Sequence, residues 1–337
     1  MGRALGAIGR TLLGAGLALW LCLLAGRAHG APVVLRIGTV APEGSPWAEA
    51  TTLAAREIAK ATRDAVRPRV FLAGILGDET QLMAALSAGK LDIYSGTAVA
   101  AEGAIPELAV FELPFLFHDE AAVDRMMKRV FPVLARVVAT RGFHLVAITA
   151  VGFKHLGTPT PVASLADLRA LRFRSQPSAL QDRMWTLAGV PHRPIGQVHV
   201  LEELAAGNVN AFDAAVTWMY AASWHTRIKH LTLLGHVYQV GIFIAGPSAL
   251  ARLSPALLRT AFRGLEALGP ETTKGVRAVD RSLLETLPGL GVTVRPASTA
   301  LRSQFEAACK GLRQEWRRGT SDGGRELLDA IERATKP

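Results

Sequence analysis

Cysteine is nearly absent from this chain: Cys22 and Cys309 are the only two in 337 residues. Cys22 falls in an N-terminal segment that reads as a leader, so Cys309 stands alone and no intramolecular disulfide is expected. With half its residues hydrophobic, a chain of this length can bury a full core without one. Beyond residue 30 no apolar stretch is long and charge-free enough to span a bilayer, which takes about 20 residues. The sequence also lacks a Gly-x-Ser-x-Gly elbow, a His-Glu-x-x-His helix, a phosphate-binding Gly-x-x-x-x-Gly-Lys-Ser/Thr loop and a Gly-x-Gly-x-x-Gly fingerprint. His225 and His230 are five apart and His192 and His199 seven apart. Neither pair has the i, i+4 spacing that sets two ligands on one helix face, so no metal site is expected, and no cofactor.

What the N-terminus does have sets the compartment. Arg3 and Arg10 precede an apolar core from Leu12 to Ala25, followed by Ala28-His29-Gly30 ahead of Ala31. This is the charged, apolar and small-residue succession of a secretory signal peptide. The reading is a signal peptide over 1–30, cleaved near Gly30, and a periplasmic mature protein. Lipid attachment at Cys22 is set aside because Leu19-Trp20-Leu21 before it is too bulky, and no Arg-Arg pair asks for another export route.

The formal net charge is +10. Arg3, Arg10 and Arg27 hold three of these charges, which leaves +7 after the leader. The basic residues are spread, with Arg56, Lys60 and Arg63 on one expected helix, Lys128, Arg129 and Arg136 on another, and Arg313, Arg317 and Arg318 near the end. No basic patch interleaved with aromatics is present, so nucleic acid is not an expected partner.

Between 70 and 117 the pattern is strand, helix, strand. Val70, Phe71 and Leu72 suit a buried strand. Asp78 and Glu79 favour a helix N-terminus, Leu82, Met83 and Leu86 follow at helical spacing, and Gly89 reads as its stop. An echo occurs later. Leu86-Ser87-Ala88-Gly89-Lys90-Leu91-Asp92 and Leu204-Ala205-Ala206-Gly207-Asn208-Val209-Asn210 both end a helix at Ala-Gly and open a strand with Asp or Asn. The first is preceded by Val70–Leu72 and the second by Leu171–Arg174, which reads as two similar α/β units. A helical pattern covers Ser254–Leu287, with a break expected within a turn of Pro270. Another helix is expected over Ala300–Trp316.

Strand alternation places Arg172 and Arg174 on one face and Leu171 and Phe173 on the other. Arg174 ends its strand at the carboxyl side, where open α/β sheets bind ligands. Its guanidinium matches a carboxylate with two parallel hydrogen bonds.

These segments resemble the TRAP-transporter substrate-binding proteins, the DctP-type extracytoplasmic solute receptors, over about residues 34–320. The resemblance is carried by Thr39-Val40-Ala41-Pro42-Glu43-Gly44-Ser45-Pro46-Trp47, by Gly74 through Gly77-Asp78-Glu79, by Ser95-Gly96-Thr97 and by Leu113-Pro114-Phe115-Leu116-Phe117. It continues in Gly152-Phe153-Lys154, Ala170-Leu171-Arg172-Phe173-Arg174 and Gly207–Ala215. It implies that Arg174 clamps a carboxylate and that Lys154 supports it where many of these receptors have arginine. Ser95, Thr97 and Phe115 would close over the ligand, with Asp213, Ala214 and Trp218 beside it. Ala214 stands where the family pattern has an asparagine, which favours a monocarboxylate with an apolar body over a dicarboxylate or sugar acid.

The fold this implies is α/β: a two-lobed periplasmic-binding-protein-like architecture, each lobe a mixed sheet flanked by helices, with crossing strands at the hinge and long C-terminal helices. Lobe I would take 31–151 and about 241–280, and lobe II 152–240 and about 281–310. Residues 311–337 would form a C-terminal helical segment. The implied function is capture of a small organic carboxylate and its delivery to TRAP membrane permease subunits, with no reaction catalysed. An accessory periplasmic protein is left open as a further partner. The alternatives are an exported α/β hydrolase-like enzyme lacking a recognisable motif, or a binding protein of another transporter class.

Overall fold

The first unit alternates strands and helices: β1 (Val33–Gly38), α1 (Pro46–Ala61), β2 (Val66–Phe71), α2 (Glu79–Ser87) and β3 (Ile93–Thr97). The computed structural model describes residues 31–336, so the leader and its cleavage site lie outside the described residues. β1 pairs in parallel with β2 and β3, which calls for crossover connections such as those through α1 and α2. Local chemistry starts both helices. Ser45 caps α1 with Pro46 at the first helical position, and Asp78 and Gln81 form a reciprocal capping box on α2.

A 3-10 helix (Pro106–Glu112) and α3 (Glu120–Thr140) lead into β4 (His144–Thr158). At 15 residues β4 is far longer than the usual strand of about 5–6, because it serves two sheet regions. From His144 to Phe153 it pairs antiparallel with β9 (Tyr238–Ala245), which also pairs with β3. From Lys154 onward it pairs with β7 (Ala211–Ala215) and β8 (His230–Leu233). A register shift between Ala150 and Gly152 marks the handover, with Gly152 at φ 125. A bulge there bends the strand from one region into the next.

The second unit comprises α4 (Leu165–Arg169), β5 (Phe173–Ser175), α5 (Ala179–Leu187), β6 (His192–Pro194), α6 (Val200–Ala205), β7 and α7 (Val216–Ala221). β5 pairs in parallel with β6 and β7. The sequence echo is a structural repeat. Asp92 accepts the Arg36 N–H at 2.7 Å, and Asn210 accepts the Arg172 N–H at 2.9 Å. Each arginine side chain reaches back to the helix-ending glycine carbonyl, Gly89 or Gly207, at 3.1 Å. This corrects one pairing. β2 corresponds to β6, and β5 to β1, because each loop residue grips the strand beside it in the sheet rather than the strand preceding the helix.

After β9 come α8 (Pro247–Arg252), α9 (Pro255–Phe262), α10 (Leu268–Thr286), β10 (Thr293–Pro296), α11 (Thr299–Cys309), α12 (Leu312–Gly319) and α13 (Asp322–Thr335). The helical pattern over 254–287 is interrupted at Gly264, φ 80, and a 3-10 turn at Leu265–Ala267. Pro270 then occupies the first turn of α10, where its missing N–H leaves no bond unmade. The single helix expected over 300–316 is two helices, parted at Lys310-Gly311. The complete sheet runs β2-β1-β3-β9-β4-β7-β5-β6, with β8 joined to β4 and β10 to β8. No helix of the described residues is long and apolar enough to cross a membrane.

Candidate functional site

The carboxyl ends of β1 and β3 meet the crossing strands β4 and β9 around a cavity of about 20 Å³. Val40, Ala41, Val151, Ile242 and Phe243 line it, together with Thr39, Ser95, Thr97, Thr149 and Glu79. Trp47 from the first turn of α1 and Trp218 from α7 form one wall, their rings 5.5 Å apart. Space of this size admits roughly one water, at the seam where residues of the first and second units meet.

Polar side chains stitch that seam. Glu79 is fully buried and takes four hydrogen bonds: from the Thr97 N–H (2.6 Å) and Tyr94 hydroxyl (3.1 Å) on one oxygen, and from the Thr97 hydroxyl (2.7 Å) and Gln197 amide (2.9 Å) on the other. Burial still outweighs these bonds and pushes its pKa above the usual carboxylate value. Gln176 donates to Thr97 and accepts from Gln239. Ser178 donates to Glu102, and Gln181 to Glu112.

Arg174 is the middle residue of β5, one before its carboxyl end, and is 2 % exposed. Its Nε and Nη2 donate to the Ile195 carbonyl at 2.9 and 2.7 Å, and its guanidinium lies 5.3 Å from the Trp224 ring centre. Burial lowers its pKa to about 10, with Asp213, Glu79 and Glu112 acting against the shift, so it remains charged at neutral pH. Among the described residues no carboxylate lies within ion-pair distance of it. A buried cation without an ionic partner is costly unless something supplies the missing negative charge.

Lys154 is situated differently. Its ammonium is 2.6 Å from Asp213 and 3.7 Å from Glu112, all three side chains being out of solvent. Burial raises Asp213, but Lys154 and His236 overcome it and hold the carboxylate well below its usual range. Glu112 is pushed up by burial in spite of Lys154. Burial lowers His236, which as the neutral imidazole gives its Nε2–H to Asp213 at 3.1 Å.

Of the residues expected at the site, Ser95, Thr97 and Trp218 line the cavity. Arg174, Lys154, Asp213, Ala214 and Phe115 lie outside that lining. Lys154 is engaged by carboxylates of the protein itself, and Asp213 faces that ammonium rather than the cavity. Ala214 is a buried strand residue opposite His155, outside the lining. Phe115 sits at φ 54 on the far side, its ring edge-on to Phe305 at 6.1 Å and under the Arg302 guanidinium. Its backbone is held by the His236 carbonyl, which turns the ring toward α11. Sequence reasoning missed Glu79 as a buried acceptor, having read it as a helix-dipole charge. It also missed Trp47, whose place in the first turn of a helix opening at a strand's carboxyl end was the available signal. Glu43 is exposed.

Comparison with known proteins gives the following. A family model described as bacterial extracellular solute-binding protein, family 7, matches residues 37–318. A solute-binding protein of Verminephrobacter eiseniae is 25% identical over 236 residues, 69% of this chain and 70% of the relative. The 2,3-diketo-L-gulonate-binding periplasmic protein of Escherichia coli is 20% identical over 235 residues, 69% of this chain and 72% of the relative. A TRAP periplasmic solute-binding protein from Polaromonas, solved with bound D-erythronate, superposes with a TM-score of 0.82 at 20% identity, covering 89% of this chain and 98% of that one. An extracytoplasmic solute receptor of Bordetella pertussis binding pyroglutamic acid gives 0.83 at 21% identity, over 89% and 99%. These structures share the two-lobed fold.

Proposed function

The chain belongs to family 7 of the bacterial extracellular solute-binding proteins, and from that membership we propose that it captures a small organic carboxylate between two lobes and delivers it to the membrane permease of a TRAP-type transporter. It catalyses no reaction. The leader is removed near Gly30 and the mature protein works in the periplasm. Lobe I takes 31–151 and about 241–280, and lobe II 152–240 and about 281–310. β4 and β9 are the strands that cross between them, and closure is a hinge motion about that crossing. Residues 311–337 add a helical segment.

One observation carries the reading. Arg174 is a fully buried guanidinium next to a strand's carboxyl end, held in place by the Ile195 carbonyl, with no carboxylate of the described residues within ion-pair distance. An incoming carboxylate completes it. Ser95, Thr97 and Trp218 bound the cavity, which has to widen by hinge motion to take the rest of the ligand. The Trp47, Trp218, Val40, Val151, Ile242 and Phe243 walls favour an apolar body, at about 25 cal/mol for each Å² removed from water.

Thermal-shift screening against C4-dicarboxylates, sugar acids, and aliphatic and aromatic monocarboxylates identifies the class, and calorimetry on the best of them tests the clamp. Removing one partner of a desolvated charge pair costs about 2–5 kcal/mol, roughly thirty-fold to several-thousand-fold in affinity. Arg174→Ala is expected to lose that much while keeping its circular dichroism. Arg174→Lys recovers part, having no planar fork. Affinity unchanged in Arg174→Ala would place the clamp elsewhere.

A further inference from the structure

The indole N–H of Trp218 is buried, with no hydrogen-bond partner among the described residues, and its ring lines the cavity. A buried donor left unmade costs roughly as much as a lost hydrogen bond, so this N–H asks for an acceptor. The neighbouring indole shows the contrast: Trp47 Nε1 donates to the Ala150 carbonyl at 2.8 Å. The two rings pack against each other, yet only one of them has a partner.

The other polar groups on this wall are largely committed, the carboxylate as an acceptor and two hydroxyls as donors. Glu79, the carboxylate in the lining, offers about four lone-pair sites, and four protein donors already occupy them. The Thr97 hydroxyl spends its hydrogen on Glu79. Thr51 donates to the Trp47 carbonyl, so the Ser95 hydroxyl gives its hydrogen to Thr51. A polyhydroxy acid entering here would bring many donors to a wall whose strongest acceptor is saturated.

Resting on the carboxylate-binding reading above, we propose that Trp218 is a specificity-determining donor, and that the ligand is a monocarboxylate whose apolar body carries one hydrogen-bond acceptor, such as an oxo group, received by Trp218 Nε1. Arg174 holds the carboxylate, the aliphatic and aromatic walls hold the body, and the indole selects for the acceptor.

The test compares matched probes by calorimetry: 3-methylbutanoate and 4-methylpentanoate, their oxo derivatives at each available carbon, and gluconate. In the unmodified protein at least one oxo acid is expected to bind about tenfold tighter than its parent acid. In Trp218→Phe, which keeps an aromatic wall and loses the N–H, that ratio falls to near one, because the smaller ring costs the parent acid and its oxo derivative alike. Circular dichroism and a cooperative thermal transition serve as the control that the variant is folded. A ratio unchanged in Trp218→Phe, or gluconate binding better than every oxo acid, overturns the inference and leaves the carboxylate reading standing. If none of these carboxylates binds and Arg174→Ala changes nothing, both fall together.

Discussion

Lys154 and Arg174 are two buried cations on the strands that flank β7, yet their partners give them different work. Lys154 is paired within the protein, to Asp213 at 2.6 Å, whereas Arg174 bonds to a carbonyl and lies against the Trp224 ring, with no carboxylate of the described residues at ion-pair distance. Truncating one member of a buried pair strands the other, at about 3–5 kcal/mol. Lys154→Met is therefore expected to lower unfolding stability by that order in urea titrations. Lys154→Met with Asp213→Asn should regain a good part of the loss, since no stranded carboxylate remains. Full stability in Lys154→Met with ligand affinity lost would return the ammonium to the ligand site. This is also where sequence reasoning reaches its limit. Arg174 was legible because strand alternation and position at a carboxyl end are local properties. The Lys154–Asp213 pair joins β4 to β7 across a register that no local pattern encodes. Phe115 likewise owes its direction to a backbone bond with His236, far along the chain.

At the scale of elements, the start of α2 was readable for the same reason: Asp78 bonds to a group three residues away. The repeat was readable in its Ala-Gly helix ends, while its strand partners depended on sheet order. Tertiary contacts between elements were not readable, and α10 supplies one with a measurable consequence. Asp280 accepts the Thr217 N–H at 2.8 Å and its hydroxyl at 2.5 Å, at the start of α7. A side chain at Gly152 in β4 would come within 3.1 Å of the same carboxylate, so three elements meet there. Burial raises Asp280 to about 6, against the two Thr217 bonds; Glu120 on α3 adds to the rise and Arg281 opposes it. The folded-state value lies above that of the unfolded chain, near 3.8, so the fold favours the neutral acid. Its stabilisation is complete below about 3.8 and is lost as pH rises through about 6, on the order of 3 kcal/mol across the window. Asp280→Asn keeps an acceptor for Thr217 and cannot ionise. Its urea midpoint is expected to exceed that of the unmodified protein at pH 7 and to converge with it near pH 4. Parallel curves for the two proteins from pH 4 to 7 would show that Asp280 does not ionise within the fold.

For the molecule as a whole, the question is what holds the two halves together when they close. The contacts across the seam are few and polar: Gln197 to Glu79 at 2.9 Å, Gln176 to Thr97 at 3.3 Å, Ser178 to Glu102, and Gln181 to Glu112. The Trp47–Trp218 contact adds one apolar patch. Such an interface resembles a transient one, for which relative motion of the halves is the expected behaviour. A ligand then shifts the balance only by its preference for the closed form, and every bond across the seam contributes to apparent affinity whether or not it touches the ligand. Gln197 provides the clean case, because it bonds to Glu79 yet lies outside the cavity lining. Removing its hydrogen bond forfeits about 1 kcal/mol of the closed state, so Gln197→Ala is expected to weaken binding of the best carboxylate up to about fivefold. The ranking of carboxylates should stay as it is, since no ligand contact has changed. Small-angle X-ray scattering supplies the second measurement. The radius of gyration should fall on saturation with ligand in both proteins, and the variant should need more ligand to reach the same fall. An unchanged dissociation constant in Gln197→Ala, with scattering indifferent to ligand, would mean that the lobes stay closed throughout and that the ligand enters by another route.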